Sequence, residues 1–172
     1  NTGDGAGMLV QVPDRFLRKA AEELGFALPP AGSYGVGFVF LPWDSFQAGL
    51  CERILERIAQ EEDFEVLGWR RVPTDNSSVG PSALSCEPVM KQVFLGRASD
   101  VQDADEFERR LYLVRKRVEN AVLASPEIRQ KAFFAIPSLS ARTVVYKGML
   151  TPEQLEPYFP DLADPDFESA LA

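Results

Sequence analysis

The chain has 172 residues, 45% of them hydrophobic and 26% charged, the size and composition of one ordinary globular domain. Its 18 basic and 26 acidic side chains leave a net charge of -8, a field that repels nucleic acid and anionic membrane, so neither is an expected partner. It contains no histidine, which excludes Ser-His-Asp and Cys-His catalysis and every histidine-ligated zinc or haem site within the chain.

A chain of this length buries roughly 70% of the surface its unfolded form exposes and needs no covalent staples. Cys51 and Cys86, the two cysteines, build no disulfide framework and match no metal spacing. They suit a reducing compartment, and the expected location is cytoplasmic. No stretch approaches the roughly 20 apolar residues of a membrane helix, and no signal-peptide pattern opens the sequence. The first residue is Asn1 rather than Met, which reads as a processed chain or a piece of something longer.

In chain order, the glycine-rich opening through Gly7 runs into a short apolar strand, Met8 to Val12. Pro13-Asp14 starts a helix whose apolar face is Phe16, Leu17, Ala20, Ala21 and Leu24, with Gly25 as its stop. After the loop from Pro29 to Gly32, Tyr34 to Leu41 is apolar on both alternating faces, a central strand covered on two sides. Gly35 and Gly37 share one face of it and leave room for close approach by another layer. A second helix, about Asp44 to Gln60, carries the stripe Phe46, Leu50, Ile54, Leu55 and Ile58, and its Glu52, Arg53, Glu56 and Arg57 face water.

Phe64 to Val72 is a strand, ended by a loop from Pro73 to Ser78. Val89 to Leu95 is the next strand, and Arg97 to Asp103 connects it to the longest helix, about Asp105 to Leu123. Phe107, Leu111, Val114, Val118 and Val122 keep a sustained helical period along that helix. Strands at Ala132 to Leu139 and Thr143 to Lys147 follow, then a short helix capped at Thr151 with Pro152 in its first turn. The tail from Pro160 is acidic, broken by Pro165, and reads as solvated. Strands and helices in this order favour stacked sheet and helix layers over a regular βαβ repeat.

The chemical motifs are weak taken singly. Gly3-Asp4-Gly5-Ala6-Gly7 precedes a strand, whereas a dinucleotide fingerprint needs a strand before its glycines and a helix after them. Cys86 sits in a loop without a histidine to serve as base, and Cys51 lies beside a buried stripe; both read as small structural residues. Arg115-Lys116-Arg117 spreads its cations around a helix and reads as a solvated surface. Asp161, Asp164, Asp166 and Glu168 lack the glycine and spacing of a calcium loop. Ser140 and Lys147, seven residues apart, point to opposite faces along a strand and make no Ser-Lys dyad.

Taken in order, longer segments are informative. Thr2-Gly3-Asp4-Gly5-Ala6-Gly7 is followed by Gly35-Val36-Gly37-Phe38-Val39-Phe40-Leu41-Pro42 and by Val66-Leu67-Gly68-Trp69-Arg70-Arg71-Val72-Pro73. Glu87-Pro88, Glu108-Arg109-Arg110-Leu111-Tyr112 and the run Ser140-Ala141-Arg142-Thr143-Val144-Val145-Tyr146-Lys147-Gly148-Met149-Leu150 come next. Together they closely resemble the glutamine amidotransferase domain (type 2) of the glutamate synthase large subunit, from Thr2 to about Leu171.

The resemblance implies an α+β fold, the αββα sandwich of N-terminal-nucleophile hydrolases, with residues 1–172 part of a single amidotransferase domain whose terminal strands are missing. It implies a chemistry in which an N-terminal Cys attacks the amide of L-glutamine, its own α-amino group serves as base, and ammonia is released. In the parent enzyme, ammonia would reach a synthase barrel domain of the same chain that holds FMN and an iron–sulfur cluster. There it joins 2-oxoglutarate, with NADPH, NADH or ferredoxin as electron donor and a reductase small subunit as partner.

The family's nucleophile and Arg-Gly segment precede the stretch represented here, and its glutamine-clamping Arg and Asn-Gly oxyanion pair follow it. None maps onto this chain; Asn1 is not the nucleophile, and Cys51 and Cys86 match no catalytic position. No catalytic, cofactor-binding or metal residue is therefore expected in this chain, and the isolated chain is expected to be inactive. A non-catalytic amidotransferase-like scaffold for protein–protein contact is the alternative. A nucleotide-binding enzyme rests on glycine pairs alone.

Overall fold

The computed structural model describes residues 5–97, 101 and 103–169. The start of the glycine-rich motif (Asn1 to Asp4) and most of the connection expected after Arg97 lie outside the described residues. Strands β1 (Ala6–Gln11) and β2 (Tyr34–Leu41) flank helix α1 (Asp14–Glu23). Helix α2 (Ser45–Glu61), strand β3 (Glu65–Arg71), a single helical turn α3 (Pro81–Leu84) and strand β4 (Val89–Gly96) follow. The long helix α4 (Ala104–Ala124), strands β5 (Ala135–Ser140) and β6 (Thr143–Gly148), and helix α5 (Pro152–Tyr158) complete the order. Short 3-10 turns at Lys131–Phe133 and Pro160–Ala163 follow α4 and α5.

Two antiparallel sheets result, a four-stranded sheet in the order β3-β4-β2-β5 and a ribbon of β1 and β6. One face of the larger sheet packs on α2 and α4 through Val39, Leu41, Val93 and Leu95, against Leu55, Ile58, Leu111 and Val114. The other face meets the ribbon and α1, with Val36, Phe38 and Phe94 against Val144, Tyr146 and Leu17. The α+β expectation therefore holds, with a helix layer and two sheet layers stacked in that order.

β2 is central and buried on both faces, as its unbroken apolar run predicts. At Gly35 a Cβ would stand 2.7 Å from Leu111 Cδ1, so the missing side chain is what lets α4 lie directly on the strand. α1 ends where expected because Gly25 takes φ +86°, a left-handed conformation that glycine adopts without a Cβ penalty. α4 buries Phe107, Leu111, Val114, Val118 and Val122 on one stripe. Asp103 caps it by accepting from the Glu106 N–H at 3.1 Å.

Several expectations need correction. Asp44 caps α2 rather than beginning it, accepting from Gln47 N–H at 2.9 Å. The buried stripe of α2 runs through Ala48, Cys51, Leu55, Ile58 and Ala59, which rotates Phe46 outward to 65% exposure. Leu24, expected on the inner face of α1, is 54% exposed because it lies past the helix end. Glu52 and Glu56 do not simply face water: Lys91 Nζ donates to Glu52 at 2.6 Å and Trp69 Nε1 to Glu56 at 2.8 Å. β5 begins at Ala135 rather than Ala132, because Lys131–Phe133 forms a 3-10 turn.

Candidate functional site

Where the chain crosses from β5 to β6 it changes sheets, and the polar residues of that junction make the crossing. Ser140 Oγ accepts from the Arg142 and Thr143 N–H groups at 2.9 and 3.1 Å, and Ser138 Oγ accepts from Val145 N–H at 3.0 Å. The serines thus satisfy backbone donors at a tight reversal. Ser140 and Lys147 do not share the one strand that the count of seven assumed: Ser140 ends β5 in the larger sheet and Lys147 lies on β6 in the ribbon.

β6 then delivers its last residues to a cavity of about 740 Å³. The walls come from Gly5 to Leu9 at the start of β1, from Lys147 to Leu150, and from Cys86, Glu87 and Pro88 before β4. Three sequence segments singled out by their resemblance, remote in the chain, therefore converge on one concave surface. Phe40, Met90 and Leu150 contribute apolar surface, while Lys147 brings an ammonium group. Glu87 supplies a carboxylate that accepts from Tyr158 OH at 2.6 Å and from Asn76 Nδ2 at 2.9 Å. Burial, with help from the neighbouring Glu87 carboxylate, pushes the Tyr158 phenol well above its ordinary range, so it stays a donor.

Cys86 also lines this cavity, but its thiol donates to Ser82 O at 3.2 Å and lies 3.7 Å from Met149 Sδ. No general base is among these partners, so the geometry does not activate it. Cys51 is buried on α2, where burial and then the Glu52 charge push its pKa up to about 11. At pH 8 only about one Cys51 in a thousand is then thiolate. We expect Ellman's reagent under native conditions to titrate one thiol, Cys86, with Cys51 reacting only after unfolding. Two thiols reacting at one rate would contradict this assignment.

Sequence reasoning missed a second polar cluster, buried between the sheets. Arg70 on β3 donates through both terminal nitrogens to Asp161, each at 2.7 Å, and also to Gln92 Oε1 at 2.9 Å. Gln92 Nε2 donates to Tyr146 OH at 2.9 Å, and Tyr146 OH donates to Asp161 Oδ2 at 2.8 Å, closing a ring. Asp161, expected in a solvated tail, is 3% exposed. Burial disfavours the Arg70 cation, but the Asp161 carboxylate outweighs it and holds the guanidinium charged. The ring fastens the segment after α5 to both sheets, and with it Tyr158 and Lys147 at the cavity wall.

The basic run of α4 is held in ion pairs. Arg115 and Lys116 pair with Glu119 on α4, while Arg117 reaches Glu61 and Glu62 at the end of α2. Among the described residues, no group of three or more Cys, Asp or Glu side chains is placed to hold a metal ion, and no helix is long and apolar enough to cross a membrane.

Comparison with known proteins gives a consistent result. The sequence pattern of the class-II glutamine amidotransferases matches residues 1–172. The NADPH glutamate synthase large chain of Bacillus subtilis (strain 168) is 41% identical over 172 residues, covering 100% of this chain and 11% of the relative. That of Azospirillum brasilense is 39% identical over 172 residues, covering 99% of this chain and 11% of the relative. The chloroplastic ferredoxin-dependent glutamate synthase 2 of Arabidopsis thaliana is 38% identical over 171 residues, covering 99% and 10%. The chain thus spans about a tenth of the length of these relatives.

Proposed function

Because this chain belongs to the class-II glutamine amidotransferase family, we propose that it is part of the single glutamine-hydrolysing domain of a glutamate synthase large chain. In that role the domain binds L-glutamine and releases ammonia from its side-chain amide. A synthase domain of the same polypeptide then combines the ammonia with 2-oxoglutarate and reductant to give glutamate. The supporting observation is the convergence of β1, the stretch before β4 and the end of β6 on one cavity, in a chain that aligns with glutamate synthases over its full length.

The residues present divide the labour. In this reading the attacking cysteine and its α-amino base lie outside this stretch. What the chain supplies is the wall: an apolar floor, the Glu87 carboxylate fixed by two donors, and the Lys147 ammonium. FMN and the iron–sulfur cluster belong to other domains in this reading. Cys51 is buried on the inner face of α2 and Cys86 lies on an exposed connection, a thiol set that does not fit a cluster requiring several converging cysteines. The electron donor is NADPH, NADH or ferredoxin, the partner a reductase subunit, and the compartment the cytoplasm.

The isolated chain is expected to release no ammonia from glutamine above a protein-free blank, and turnover there would overturn the assignment of the nucleophile elsewhere. Exchanging this stretch for its counterpart in the Bacillus subtilis large chain tests the positive claim. The chimera is expected to retain glutamine-dependent glutamate formation. A chimera that folds but makes glutamate only from free ammonia would favour a non-catalytic scaffold.

A further inference from the structure

β3 and β4 are antiparallel neighbours, paired up to Arg71 and Lys91, and Val72 N–H donates to Met90 O at 3.0 Å just beyond. A hairpin joining such strands needs about two to five residues. The chain instead leaves the sheet at Pro73 and returns at Pro88, with none of residues 73–88 buried. An excursion with adjacent ends and no buried residue adds nothing to the sheet, and such loops usually serve a site. This one forms a wall of the cavity through Val79, Ala83, Cys86 and Glu87.

Besides Val79, which packs half-buried against the core between the sheets, polar contacts hold it there. Asn76 Nδ2 donates to Glu87 Oε2, tying the two limbs of the loop to each other. Tyr158 OH donates to Glu87 Oε1 at 2.6 Å, Gln154 Nε2 to Ser78 O at 2.6 Å, and Asp75 N–H to Tyr158 O at 2.9 Å, tying the loop to α5. Cys86 Sγ also touches Met149 Sδ at 3.7 Å, both residues lining the cavity. Loops secured by a few exchangeable hydrogen bonds open at far lower free energy than a packed core.

We propose that residues 73–88 form a lid on the cavity, moving as one piece because its limbs are joined, and latched shut by the Tyr158–Glu87 hydrogen bond. Its opening controls entry to the cavity whatever ligand the cavity receives, so the inference stands apart from the assignment of glutamine. The native Cys86 allows a direct test, because Met149→Cys places a second thiol opposite it and Cys51 is buried. Oxidation is expected to join Cys86 to the new cysteine and lock the lid.

Two readings then follow on the same protein, hydrogen–deuterium exchange and binding of the apolar dye anilinonaphthalene sulfonate. In the native chain, amides of 73–88 exchange faster than those of β3 and β4. Tyr158→Phe, which keeps the ring and removes the latch, accelerates lid exchange about tenfold and raises dye binding, while the strands are unchanged. The disulfide slows lid exchange and suppresses dye binding, and reduction restores both. Lid amides that exchange only together with the strands would overturn the proposal. So would a disulfide that forms yet leaves exchange and dye binding unaltered.

Discussion

Asp161→Asn is expected to lower the unfolding free energy by about 3–5 kcal/mol, the cost of leaving one partner of a buried ion pair uncompensated. The substitution keeps the shape of the side chain but removes the charge that faces both terminal nitrogens of Arg70. Arg70 is only 8% exposed, so water does not replace the lost partner. Tyr146 OH also loses its charged acceptor, which weakens a bond inside the same closed ring. Arg70→Met, which strands the Asp161 carboxylate instead, is expected to cost a similar amount.

Replacing both residues by apolar ones of similar volume removes the stranded charge, and the double variant is expected to be more stable than either single one. Urea unfolding followed by circular dichroism measures all three. Equal losses in the double variant and the sum of the singles would show that the two side chains act independently. The ring also bears on the cavity, since Asp161 follows Tyr158 by three residues and Tyr146 directly precedes Lys147.

This ring marks where sequence reasoning stops. A charged residue on the inward side of a strand demands a buried partner, and Arg70 stands opposite Gln92 on the face that meets the ribbon. That parity was not readable, because the β3–β4 register shifts between Val66 and Gly68, so alternation counted from either end gives opposite answers. The partner is 91 positions away in a stretch whose acids resemble any solvated tail. The helical repeat of α4 and the double-faced run of β2 were legible because each is a local pattern generated by the element itself. Phe46 was misplaced for the complementary reason: its four-residue spacing to Leu50 and Ile54 fits a helical stripe, but the stripe that tertiary packing buries is the neighbouring one through Ala48, Cys51, Leu55, Ile58 and Ala59. The cavity could not be derived from spacing, since it forms from three segments that meet only after the sheets stack.

The close approach anticipated at Gly35 provides the sharpest test of how the layers fit. Gly35→Ala puts a Cβ 2.7 and 2.9 Å from the two methyls of Leu111, which is fully buried and confined by its neighbours. Overpacking of this kind costs about 1–3 kcal/mol. Leu111→Ala alone removes those methyls from the centre of the α4 interface and costs about 2–5 kcal/mol, the larger part of it from the cavity left behind. In the double variant the new methyl enters the space that Leu111 vacated, so the clash disappears and part of the cavity is filled. The double variant is therefore expected to be more stable than the sum of the two losses predicts, by about 1 kcal/mol or more, as residues in contact couple. Strict additivity in denaturant unfolding would mean that α4 shifts as a body to accommodate the added methyl, and that the glycine does not set the distance between helix and sheet.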